Sequence, residues 1–143
     1  MHTPQGSGAG PNEHEIALFN DSLERCAGRR FLDRFYQLFV SSSAEVAAKF
    51  ANTDFNVQNR AVKVSFYMIV SSIEQKPEGN VHLERIAARH SRKGLDIRPA
   101  LYDQWLDCLI QAVREHDPMF DAETETAWRR VMKRGIDVMK SRY

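Results

Sequence analysis

The stretch Val81-His82-Leu83-Glu84-Arg85-Ile86-Ala87-Ala88-Arg89-His90, closed by Ser91-Arg92-Lys93-Gly94, decides how the chain is read. Leu83, Ile86, Ala87 and His90 recur at i, i+3, i+4 and i+7, which is one face of an α-helix. Arg89, Arg92 and Lys93 fall off that face. The spacing predicts a helix over 81–92 with an imidazole on its apolar side, and Gly94 fits as its stop. Neutral imidazole is a good donor to a transition metal when its other nitrogen is held by a hydrogen bond. A histidine on such a face can equally be a core residue, so position alone leaves both roles open.

The same periodicity extends in both directions. Upstream, Ile16, Phe19, Leu23 and Cys26 predict a helix over 13–27 that stops at Gly28, and Leu32, Phe35, Tyr36 and Phe39 predict one over 29–41. Ser41-Ser42-Ser43 punctuates the chain, and a short helical turn at 44–50 carries Val46 and Phe50. Asn52-Thr53-Asp54 reads as an N-cap cluster for a long helix to about residue 75, and Lys76-Pro77-Glu78-Gly79-Asn80 as a loop. Downstream, Pro99 suits the first position of a helix that runs to His116. Asp117-Pro118 breaks that helix, and Asp121 opens a last one. No alternating run survives as a strand, so the fold class is all-α. Phe35, Phe39, Trp105, Trp128 and Met132 read as core.

The chain of 143 residues fits one domain, with a disordered tail over 1–13 and the folded domain over 14–143. Lys and Arg total 20 against 19 for Asp and Glu, which gives no footprint for nucleic acid or an acidic membrane. Cys26 and Cys108 are far apart and form no CxxC, so neither a zinc site nor a disulfide scaffold is expected. No apolar run is long enough to span a membrane and no signal segment is evident, so a cytoplasmic location is expected. Phosphate-loop, dinucleotide, zinc-protease and serine-hydrolase motifs are absent, and the carboxylates read as residues of solvent faces.

Two further polar residues fall on apolar stripes. Tyr36 shares a face with Leu32 and Phe39, and a buried hydroxyl there needs a partner. Gln58 lies one turn before Val62, on a face with Phe55 and Phe66. The remaining histidines, His2, His14, His82 and His116, read as exposed or as helix-terminal.

The order Phe35-Tyr36-Gln37-Leu38-Phe39, then Phe50, then Phe55 to Ile73, then Ile86-Ala87-Ala88-Arg89-His90 with Gly94, then Tyr102 to Glu115 and Ala127-Trp128, resembles the bacterial single-domain globins. It is also similar to the globin domains of flavohaemoglobins. The resemblance covers about residues 15–140 and rests on joint spacing. It implies a globin fold of seven to eight helices around a haem pocket. By the same resemblance His90 is the ligand of haem b iron, and Phe50 packs on the porphyrin. Tyr36 and Gln58 are the distal polar residues, while Val62 and Ile86 line the pocket. The chain is about two residues short between Phe50 and Gln58, so Arg60 or Ala61 could stand where Gln58 is placed. Tyr102 resembles the tyrosine that flavohaemoglobins set behind the proximal histidine. Their partner carboxylate falls near Tyr143, which is no acid.

What the resemblance implies for function is reversible binding of dioxygen or another diatomic gas, as carrier or sensor. Nitric oxide dioxygenation with a separate reductase, and a non-haem globin acting as a protein-interaction module, are the alternatives. A homodimer is compatible with all three.

Overall fold

The computed structural model describes residues 10–26 and 28–143, the Arg29 side chain excepted. Among them the chain forms seven helices and no strand: α1 (Glu13–Arg25), α2 (Arg29–Val40), α3 (Ala44–Lys49), α4 (Phe55–Ile73), α5 (Pro77–His90), α6 (Leu101–His116) and α7 (Ala122–Ser141). No helix among them is long and apolar enough to cross a membrane.

Four helices start where a side chain satisfies the first free N–H groups. Asn12 accepts from Glu15 N while the Glu15 carboxylate accepts from Asn12 N, a reciprocal capping box. The side chains of Ser43, Asp54 and Asp121 accept from first-turn N–H groups of α3, α4 and α7, without the reciprocal bond. Each such cap stabilises its helix by about 1 kcal/mol.

The helices pack as α1 on α7, α2 on α6 and α4 on α5, with α7 also meeting α4, α5 and α6. Trp128 of α7 is fully buried where these faces converge. Its ring meets Phe19 of α1 at 4.7 Å, Phe66 of α4 at 5.9 Å and Phe31 of α2 at 6.0 Å, each edge to face. Burying one such ring is worth about 3 kcal/mol, so this aromatic cluster ties four helices together.

Several expectations shift. The folded part begins before residue 14: Asn12 caps α1 and the Gly10 carbonyl accepts from Arg130. Residues 1–9 of the expected tail lie outside the described residues. α1 ends at Arg25 with Cys26 as its cap, and Gly28, at φ 113°, leads into α2. Pro77 does not sit in a loop. It stands in the first turn of α5, where its missing N–H costs nothing, so the stretch expected as a loop at 76–80 is mostly helix. The reverse holds for Pro99, which lies in a turn before α6, where Leu101 N bonds Arg98 O and Tyr102 N bonds Pro99 O. The expectation that carboxylates lie on solvent faces fails at Asp117. That residue is buried after α6, bonded to Ser22 at 2.6 Å and to Arg25 at 2.6 and 3.0 Å.

Candidate functional site

The site is built on the hairpin of α4 and α5. Only residues 74–76 separate the two helices, which makes them antiparallel neighbours. They touch backbone to backbone at Gly79: a Cβ there would lie 2.4 Å from Ser72 N and 2.7 Å from Met68 O. A hydrogen bond of 3.1 Å between Ser65 Oγ and His82 Nε2 joins them further along. From Gly79 to His90 is about 16 Å along α5, and from Ser72 to Val62 about 15 Å along α4, at 1.5 Å per residue. Val62 and His90 therefore both lie well away from the Gly79 contact, toward the open end of the hairpin. Gln58 is one turn further out.

His90 closes α5, and its ring is half-buried. Nδ1 lies 2.8 Å from the Ile86 carbonyl, which accepts its proton. The lone pair is thereby left on Nε2, which has no hydrogen-bond partner among the described residues. Burial pushes the imidazole below its ordinary pKa against the Ile86 bond, and the Arg89 charge adds to the lowering. The ring is therefore neutral at neutral pH.

The chain after His90 folds back on the helix end. Leu95 N bonds Arg89 O, Ile97 N bonds His90 O and Asp96 N bonds Ser91 O. Gly94 follows the helix end as expected but is not left-handed; Asp96, at φ 54°, holds that conformation. The glycine is needed because a Cβ at 94 would lie 2.3 Å from the Arg89 carbonyl oxygen. Tyr143 secures the loop from outside: its hydroxyl bonds Asp96, and Arg92 lies over its ring at 4.8 Å.

On the opposite arm Tyr36 of α2 is buried. Its hydroxyl accepts from Gln58 Nε2 at 3.0 Å. Burial raises its pKa to about 12, the Gln58 bond opposing. No acceptor for the hydroxyl proton is present among the described residues. Asn59 Nδ2 donates to Asp33 at 2.9 Å, so two adjacent amides of α4 clamp it to α2. Phe50 lies 5.5 Å and Phe55 5.4 Å from the Tyr36 ring, and the two phenylalanines stack at 6.0 Å.

Of the expected residues, the structure brings Tyr36, Phe50 and Gln58 into one contact set. Arg60 and Ala61 are exposed, so of the three candidates for the distal position Gln58 is the one that meets Tyr36. Val62 and Tyr102 are buried and Ile86 is half-buried. The Tyr102 hydroxyl has no hydrogen-bond partner among the described residues, and burial alone raises it to about 12. Phe50, Phe55, Ile86, Ile97, Trp105 and Leu106 are apolar, only partly buried, and packed on the core. Ile97 and Leu106 drew no attention in the sequence. Their signal is position just after His90 and on the α6 stripe near Tyr102, with no polar residue to mark it. A separate cleft of about 600 Å³ opens between α1, α2 and α4, lined by Leu23, Phe31, Lys63 and Tyr67 among others. None of the expected site residues lines it.

Known proteins were matched by family and by structure. The family profile described as Globin matches residues 34–139. A crystal structure of a Pseudomonas aeruginosa PAO1 protein, described as structurally highly homologous to a human hemoglobin, is similar with a TM-score of 0.84 and 44% identity. The match covers 90% of this chain and 98% of that one. No curated protein matches the chain.

Proposed function

The chain belongs to the globin family, and from that premise we propose that it holds haem b through His90 and binds a diatomic gas such as dioxygen on the Tyr36 side. The observation that carries the reading is the bond from His90 Nδ1 to the Ile86 carbonyl, which fixes the tautomer that offers Nε2 to a metal. The residues fit the group in two further ways. Phe50, Phe55, Ile86, Trp105 and Leu106 offer partly exposed apolar surface of the kind a porphyrin covers. Tyr36 and Gln58 place a paired hydroxyl and amide on the other arm. When bound, haem supplies the iron centre at which a diatomic gas is taken up and released.

The chain's own groups do the rest. His90 is positioned by Ile86 and kept neutral by burial, so no proton competes for Nε2. Phe50 would pack against the porphyrin, and Val62 would limit the room left for the gas. Tyr36 accepts from Gln58, so its proton is directed away from the amide and is free to donate to a polar ligand. These apolar walls keep water from competing for that proton.

Carriage or sensing is preferred to nitric oxide dioxygenation with a separate reductase. Tyr102 has no carboxylate partner among the described residues with which to strengthen the electron donation of His90. The test is the absorption spectrum of purified protein in ferric, ferrous and carbonyl forms. A Soret band that His90→Gly loses and added imidazole restores supports the reading. A purified protein that takes up no haem overturns it and leaves the protein-interaction alternative.

A further inference from the structure

Most cations of this chain are answered by acids. Arg34 bonds Glu115, Arg98 bonds Glu45 and Arg142 bonds Glu84, each through two nitrogens or both oxygens. Four are not. Arg60 and Lys63 on α4, and Arg85 and Arg89 on α5, are exposed and have no hydrogen-bond or anionic partner among the described residues. Arg60, Arg85 and Arg89 project from the outer face of the one hairpin, and Lys63 stands at its edge, where it also lines the cleft toward α1 and α2.

Between them runs apolar surface. Val57, Ala61 and Val64 recur at i, i+4 and i+7 along α4, and the two valines are 53% and 47% exposed. Val81 of α5, 55% exposed, is in the same i, i+4, i+8 row as Arg85 and Arg89, toward the closed end of the hairpin. At about 100° per residue, Arg60 and Lys63 flank this strip on one side. Arg85 and Arg89, one turn apart, line the edge of α5 on the other. The acids nearest the strip along these two helices are Asp54, engaged in capping α4, and Glu78 in the first turn of α5. Arg89 precedes His90 and Arg60 follows Gln58 by two residues, so the charged face borders the open end of the hairpin.

We propose that this outer face of the α4–α5 hairpin is a docking surface for an acidic protein. A small apolar centre rimmed by four unanswered positive charges is complementary to an apolar spot rimmed by carboxylates. Because the whole chain carries a net charge of only +1, the attraction belongs to this face and orients an approaching partner. A lipid surface fits less well: Val57, Ala61 and Val64 are small, and Tyr67 beside them adds one half-exposed ring without the Trp, Phe or Leu that anchor a helix in a bilayer interface. A second copy fits less well too, since a two-fold pair would set this basic face against itself. The partner would cover the open end of the site, a consequence that rests on the haem reading. The docking itself does not.

The experiment is titration of the isotope-labelled protein with oxidised flavodoxin, used as a small, strongly acidic probe. Expected are saturable shifts confined to α4 and α5, weakening about tenfold between roughly 50 and 300 mM salt. Arg60→Glu with Arg85→Glu should weaken binding about tenfold or more, and Val64→Asp similarly. Arg30→Glu on α2, another exposed cation, should change it less than about twofold. The proposal is overturned by absence of binding at low salt, by an equal loss in Arg30→Glu, or by shifts centred elsewhere. It is overturned equally if phosphatidylglycerol vesicles bind this face and flavodoxin does not, or if the labelled protein only self-associates. The absorption spectrum of the same samples separates the two questions: docking with no Soret band sinks the haem reading alone, and a normal band without docking sinks this one alone.

Discussion

His90 can serve a metal only while neutral, and two opposing effects set that condition. Burial and the Arg89 charge disfavour the imidazolium, while the Ile86 carbonyl favours it, with burial the larger. Because the folded-state pKa lies below the ordinary value of about 6.5, the neutral ring contributes stability above that value. The contribution is lost as pH falls through the depressed pKa. On the haem reading, haem release followed by the Soret band should therefore set in only below the ordinary imidazole range and be shifted little by salt. At Tyr36 the expectation concerns rate. A hydrogen bond to a charge-bearing ligand is worth about 1.5–3 kcal/mol. Tyr36→Phe should therefore speed dioxygen dissociation about tenfold to a hundredfold, as flash photolysis or stopped flow would measure. An unchanged rate removes Tyr36 from the scheme. That His90 and Tyr36 turn inward was legible because both sit on clean helical stripes. The choice among Gln58, Arg60 and Ala61 was not, since it depends on how the short α3–α4 connection sets the rotation of α4 against α2. The contact that brings Gln58 to Tyr36 joins residues 22 positions apart.

At the scale of elements, the α4–α5 pair depends on one missing side chain. Any Cβ at position 79 meets the α4 backbone at 2.4 Å, which no rotamer can relieve. Gly79→Ala should cost roughly 1–3 kcal/mol by forcing the helices apart, read as a lower urea midpoint and weaker haem retention. The helix pattern was readable from apolar spacing because each inward face is continuous. The termini were harder where proline was involved. Pro77 and Pro99 each stand beside a helix start, yet only Pro77 is inside one. A proline says that its own N–H is unneeded, not on which side of it the helix begins. Gly94 carried a comparable ambiguity, for it is required by a close carbonyl and not by a left-handed turn.

Across the whole molecule, Asp117 links what the chain separates by more than ninety residues. Its carboxylate accepts from Ser22 and Arg25, and Ser22 in turn accepts from Trp128 Nε1 at 2.9 Å. Burial pushes the Asp117 carboxyl up, but the bonds from Arg25, Ser22 and Met119 N outweigh it, so the group lies below its ordinary pKa. Its stabilisation is present above the ordinary carboxylate range and lost as pH falls through the depressed value. Asp117→Ala should cost about 3 kcal/mol near neutral pH, since it strands a cation and a buried hydroxyl. The gap to the unmutated protein in urea unfolding should narrow below about pH 4. A gap independent of pH would mean packing, not charge, is what the substitution removes. Nothing local marked Asp117 as buried, because its partners lie on other helices. The unanswered cations of α4 and α5 escaped for the same reason: a net charge near zero hides how the charges are distributed.

The contact at Gly79 also acts as a pivot. With His90 about 16 Å away along a stiff helix, a swing of roughly 5° about that point carries the imidazole sideways by about 1.4 Å, the scale on which a bond to a metal is made or broken. Small errors of packing at the closed end of the hairpin are thus magnified where the imidazole stands.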